Sequence, residues 1–106
     1  MTDECIPCAV EFEELARMMQ IARLAASYDI WMREGAPAIF RRIHAAKLQA
    51  TKVEKRCDVD LSLVNSHLVQ AEDLVPESMD LEALRETFEQ VARANTELRR
   101  VFPRKG

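Results

Sequence analysis

Turn-forming residues are scarce: only two glycines and four prolines occur among 106 residues. That supply is too thin for a fold of many short strands, which needs a turn roughly every 8–12 residues. Aromatics make up 6%. No stretch alternates β-branched or aromatic residues with polar ones, so no segment reads as a strand. No apolar run approaches the roughly 20 residues needed to span a bilayer. The opening Met-Thr-Asp-Glu is acidic, unlike a signal peptide, so a cytoplasmic protein with no membrane partner is expected. A positive excess is also missing. Fifteen basic side chains face 18 acidic ones, for a formal charge of -3, which argues against nucleic acid as a partner. Three cysteines, an odd number, suit a reducing compartment better than a disulfide framework.

The residues that are abundant, Ala, Leu, Glu and Arg, are strong helix formers. The length suits a single domain spanning 1–106. Helices are expected over about 7–33, 37–57, 60–74 and 80–102. Within the first, apolar residues recur at Cys8, Phe12, Leu15, Met19, Ala22 and Ala26, with spacings of four and three in alternation. Within the second the rhythm returns at Ile39, Ile43, Ala46, Ala50, Val53 and Cys57. Each residue of one set reflects onto one of the other through a point between Met32 and Arg33. A hairpin of two antiparallel helices requires that reflection, with coiled-coil-like facing pairs. Met19 would face Ala46 and Ile43 would face Ala22, a large side chain opposite alanine each time, which lets backbones approach closely.

Local signals place the ends. Pro7 suits a first helical turn, Gly35 a left-handed stop, and Pro37 the first turn of the second helix. The join near 55–60 lacks Gly and Pro, so a single long helix over 37–74, in an oligomer of three-helix chains, is the alternative architecture. Charge favours a break: Lys55 and Arg56 suit a helix end, and Asp58 and Asp60 suit a cap and first turn. Pro76 stops the third helix, and Ser78 or Asp80 caps the fourth. Leu81, Leu84, Phe88, Val91, Asn95, Leu98 and Phe102 form the fourth helix's expected stripe. It reflects onto Leu61, Val64, Leu68, Ala71 and Val75 about Ser78, with Leu61 facing Asn95. The fold expected is all-α: two antiparallel helical hairpins forming a four-helix up-down-up-down bundle.

Three sets of side chains are candidates for function. Cys5 and Cys8 form a C-x-x-C pair, and the hairpin alignment brings Cys57 beside Cys8. Such thiols could hold zinc or carry redox chemistry. A structural zinc site needs four ligands, and His44 and His67 lie about 20 Å and about 15 Å from Cys57 along a helix. The competing reading is that Cys8 and Cys57 are small packed hydrophobes, with no cofactor.

The second set is Glu11, Glu14, Glu54 and Asp58, four carboxylates on facing helices that could bind magnesium. Glu11-Phe-Glu-Glu14 resembles the E-x-x-E of the all-α nucleotide pyrophosphohydrolases of the MazG type. That resemblance implies a magnesium-dependent nucleotide phosphohydrolase. The family's second motif, E-x-x-D, is not matched, because Glu54 and Asp58 are one residue too far apart. Lys52, Lys55 and Arg56 are placed to neutralise these acids.

The third set is an interface. Tyr28 and Trp31, beside Leu24, form a second apolar stripe on the first helix, available to the fourth helix or to a partner. Asn95 in the last seam could fix register or oligomeric state. The basic stripe Arg41, His44, Lys52, Lys55 and Arg56 reads as a solvated face paired with acids of neighbouring helices. No Ser-His-Asp arrangement, glycine-rich phosphate loop or Glu-x-x-His pair occurs. The function expected is therefore a non-catalytic helical interaction or assembly protein, partnered by itself or by another subunit. The thiol site and the phosphohydrolase are the alternatives.

Overall fold

The computed structural model describes residues 5–78 and 80–101, with side chains from residue 8 onward. Among these the chain is all-helical: α1 (Cys5–Ala25), α2 (Tyr28–Glu34), α3 (Ala36–Cys57), α4 (Ser62–Leu74) and α5 (Leu81–Val101). Among the described residues no helix is long and apolar enough to cross a membrane. The first expected helix, 7–33, is two helices. At Ala26 and Ser27 the backbone leaves the helical path, with Ser27 at φ -130 and ψ 161. The Ser27 hydroxyl accepts from the Ile30 N–H at 3.4 Å, and its carbonyl accepts from Trp31 N–H at 2.9 Å. Serine competes well for backbone donors at a helix start, and that competition interrupts the run.

Gly35 ends α2 and starts α3. Its N–H donates to the Trp31 carbonyl at 2.8 Å. It has the expected positive φ, 84, but its ψ of 169 lies outside the left-handed helical region expected of it. That combination is almost exclusive to glycine. Pro37 sits in the first turn of α3, where a missing N–H costs nothing.

The long helix over 37–74 is ruled out, because α3 ends at Cys57. Asp58 adopts φ 55 and ψ 49, and its N–H donates to the Glu54 carbonyl. Aspartate tolerates this left-handed conformation better than most residues, so it works as the stop that glycine normally supplies. Asp60 rather than Asp58 serves the start of α4, accepting from the Ser62 N–H at 3.0 Å and its hydroxyl at 2.7 Å. These bonds, the hydroxyl's first, hold the Asp60 carboxyl below its ordinary value of 3.8. Asp80 caps α5, its Oδ1 accepting from Glu82 N–H at 3.1 Å and Ala83 N–H at 3.2 Å.

α1 packs on α3 and α5, α4 packs on α3 and α5, and α2 packs on α3. The α1–α3 seam follows the reflected pattern. Leu15, Met19, Ala22, Ala26, Ile39, Ile43, Ala46, Ala50 and Val53 are buried, and Phe12 and Cys57 pack against them. On α5 the buried set is Leu84, Thr87, Val91, Ala94 and Leu98, which differs from the expected stripe. Leu81 is 61% exposed, and Phe102 lies outside the described residues. Thr87 and Ala94 are fully buried, while Phe88 and Asn95 flank them half-exposed. The cause is that α5 has two neighbours. It packs on both α4 and α1, and Phe88 meets the Arg23 guanidinium of α1, which lies 5.4 Å from its ring centre. Thr87 satisfies its buried hydroxyl by donating to the Ala83 carbonyl at 2.8 Å.

Candidate functional site

The thiols gather where α1 begins and α3 ends. Cys8 and Cys57 are both free and half-buried, and they lie close enough for Cys8 to act on the Cys57 thiol. The Cys5 side chain lies outside the described residues. Burial, the neighbouring Cys8 and the nearby negative charge of Glu11 push the Cys57 thiol from its ordinary 9.0 up to about 12, with Arg56 pulling the other way. At neutral pH Cys57 is therefore a protonated thiol, not a poised nucleophile.

Two of the four carboxylates, Glu11 and Glu54, hold local partners. Glu11 Oε2 meets Arg56 Nε at 3.1 Å, and Glu11 Oε1 is buried with no hydrogen-bond partner. Glu54 Oε2 accepts from the Leu61 N–H at 2.8 Å, supplying one of the bonds that the start of α4 needs. Glu14 and Asp58 are exposed. Among the described residues, no group of three or more His, Cys, Asp or Glu side chains is placed to hold a metal ion. The patterning missed the role of Glu54, since a carboxylate reaching forward to a backbone N–H leaves no periodic trace.

The α3–α4 flank carries a second polar cluster that sequence spacing did not reveal. Glu72, whose side chain is 8% exposed, takes His44 Nδ1 on one oxygen and Lys47 Nζ on the other, both at 2.8 Å. The Phe40 ring stacks on His44 with centroids 6.0 Å apart. Part of the basic stripe thus does meet acids of neighbouring helices, through His44 here and Arg56 at Glu11. Beside this cluster lies a surface groove of ≈ 530 Å³, lined among others by Pro37, Phe40, Glu72, Val75 and Glu77. His67 Nδ1 lies 2.8 Å from Gln90 Oε1 and links α4 to α5.

The interface candidates divide. Trp31 is half-buried against the core, and its indole N–H donates to the Pro76 carbonyl at 3.3 Å, closing α2 onto the α4–α5 connection. Tyr28 faces outward at 49% exposure. Ile21, Leu24 and Met32 are similarly exposed, at 49%, 56% and 57%. Ile21 and Leu24 share one face of α1, and Tyr28 and Met32 share one face of α2. Asn95 Oδ1 is buried without a hydrogen-bond partner, as is Asn65 Oδ1. Comparison with known protein families, curated proteins and solved structures finds no match to this chain.

Proposed function

We propose that this chain is a non-catalytic helical assembly protein whose first partner is a second copy of itself. The observation that carries the reading is the outward apolar set Ile21, Leu24, Tyr28 and Met32, each about half exposed. Clusters of large apolar side chains left in water mark association surfaces more often than single scattered ones do. Charge around the set favours self-pairing. Exposed Glu14 precedes it and exposed Arg33 follows it. In a two-fold interface the Glu14 end of one copy's set can meet the Arg33 end of the other's, as self-complementarity requires. We also infer that α1, α3, α4 and α5 form an up-down-up-down four-helix bundle. Each of the four packs on two of the others, and this supports a closed ring of helices. Chemistry has less support. The phosphohydrolase reading needs Glu11 and Glu54 free for a cation, and both already hold partners.

Light scattering over a concentration series tests the assembly. The wild type is expected to exceed the 12.1 kDa of one chain as concentration rises. Leu24→Glu with Met32→Glu is expected to remain monomeric and folded. A wild type that stays monomeric at millimolar concentration overturns the reading.

A further inference from the structure

Four side chains meet where α1 begins and α3 ends, and none is needed for self-association. Cys57 packs on the core at the end of α3, near enough to Cys8 for the two free thiols to act on each other. Glu11, one turn along α1 from Cys8, lies close enough to Cys57 for its charge to act on the thiol. One carboxylate oxygen of Glu11 pairs with Arg56, while the other is buried and unpartnered. An orphaned buried acceptor is costly and calls for an explanation. A neighbouring thiol that must lose a proton supplies one.

We propose that Cys8 and Cys57 are an oxidisable dithiol, which a peroxide joins into a disulfide stapling α1 to α3, with Glu11 accepting the Cys57 proton. In the first step the Cys8 sulfur attacks one peroxide oxygen. The O–O bond breaks, water leaves, and Cys8 becomes a sulfenic acid. In the second step the Cys57 sulfur attacks the sulfenic sulfur. Its proton passes to the free oxygen of Glu11, the S–O bond breaks, and the departing hydroxide is protonated to water. Two thiols and hydrogen peroxide give one disulfide and two waters, the two electrons passing from sulfur to oxygen. Cys57 suits the resolving role. Glu11, held by Arg56, stands near it with one oxygen unpartnered, so an acceptor for its proton is at hand. A carboxylate oxygen left without a partner is placed to act where that proton leaves. Arg56 holds Glu11 in place through the opposite oxygen.

The test oxidises the full-length chain with hydrogen peroxide, alkylates the remaining thiols and maps the linkage by mass spectrometry without reduction. The expected product has lost two hydrogens, runs as a single chain and links Cys8 to Cys57. Cys5→Ser is expected to give the same product. A Cys5–Cys8 linkage, linkage only between copies, or free Cys57 beside a trapped Cys8 sulfenic acid overturns the proposal. For Glu11, the rate of disulfide formation in Glu11→Gln is expected to fall at least about tenfold, with more Cys8 sulfenic acid captured by dimedone. Glu11→Asp, which keeps a carboxylate, recovers part of the rate. Equal rates in all three chains remove Glu11 from the step. The wild-type linkage map judges the dithiol whether or not the Glu11 variants fold.

Discussion

Glu54 Oε2 accepts a hydrogen bond from the Leu61 N–H at 2.8 Å, tying the last turn of α3 to the first residues of α4 across a connection without glycine or proline. The same residue's carbonyl receives the N–H groups of Asp58 and Val59. One residue thus organises the reversal between the two helices. Glu54→Ala removes the side-chain acceptor and leaves the Leu61 N–H to find water. The expected loss is about 1–2 kcal/mol in urea unfolding. Glu54→Gln, which keeps a neutral acceptor, should lose about half of that or less.

Gly35 is the second turn with a conformational requirement. Its φ of 84 with ψ of 169 is a region that side chains resist. Space is not the obstacle, since an added Cβ would meet Pro37 Cδ at 3.5 Å, an ordinary contact. Gly35→Ala is therefore expected to cost about 1–3 kcal/mol through backbone strain alone. That corresponds to a fall in Tm of roughly 4–8 °C per kcal/mol for a domain of this size. An unchanged melting curve would show that the α2–α3 turn relaxes into another conformation.

The buried stripes of α1 and α3 were largely legible in the sequence, because large and small residues recur there with helical spacing. Leu15, Met19, Ala46 and Ala50 are all buried to 0% exposure, as that spacing requires. Ser27 was not legible. A lone serine in a helical run usually faces water, and only its cap bonds identify it as the start of α2. The facing residues of α5 were only partly legible. A pattern built on large side chains selects Phe88 and Asn95, whereas a helix with two neighbours buries the small Thr87 and Ala94 between them. Of the candidate site, reflection placed Cys57 beside Cys8. The orphaned oxygen of Glu11 depends on side-chain direction, which spacing does not encode.

Overfilling the seam should be felt immediately. Ala46→Leu adds bulk on the face where Met19 is expected opposite, both being sealed from solvent. A cost of about 1–3 kcal/mol is expected, partly recovered when Met19→Ala is added. Strict additivity of the two substitutions would contradict the proposed contact.

Cys57 gives stability a signature in alkali. Its folded value, about 12, lies above the ordinary 9.0. The unfolded chain therefore releases this proton first. The contribution is complete below pH 9 and is lost as pH rises from there toward 12. Unfolding curves of the wild type and Cys57→Ala across that range should converge as pH increases. Parallel curves would mean that the thiol is not desolvated. Asp60 has the opposite sign. Its lowered value makes its contribution present above 3.8 and lost as pH falls below it, so Ser62→Ala should bring the Asp60 midpoint, read by carboxyl NMR, back up toward 3.8.

The dithiol, the uncovered outer face of α1 and the placement of Glu11 all depend on how α1 lies against α3. Methyl–methyl nuclear Overhauser contacts in a chain labelled at Leu, Met and Ala read that alignment directly. Cross-peaks are predicted between Met19 and Ala46 and between Leu15 and Ala50, from within one chain when labelled and unlabelled protein are mixed. Cross-peaks from Leu15 to Ala46 in place of Ala50, or contacts arising only between chains, would contradict the alignment and everything built on it.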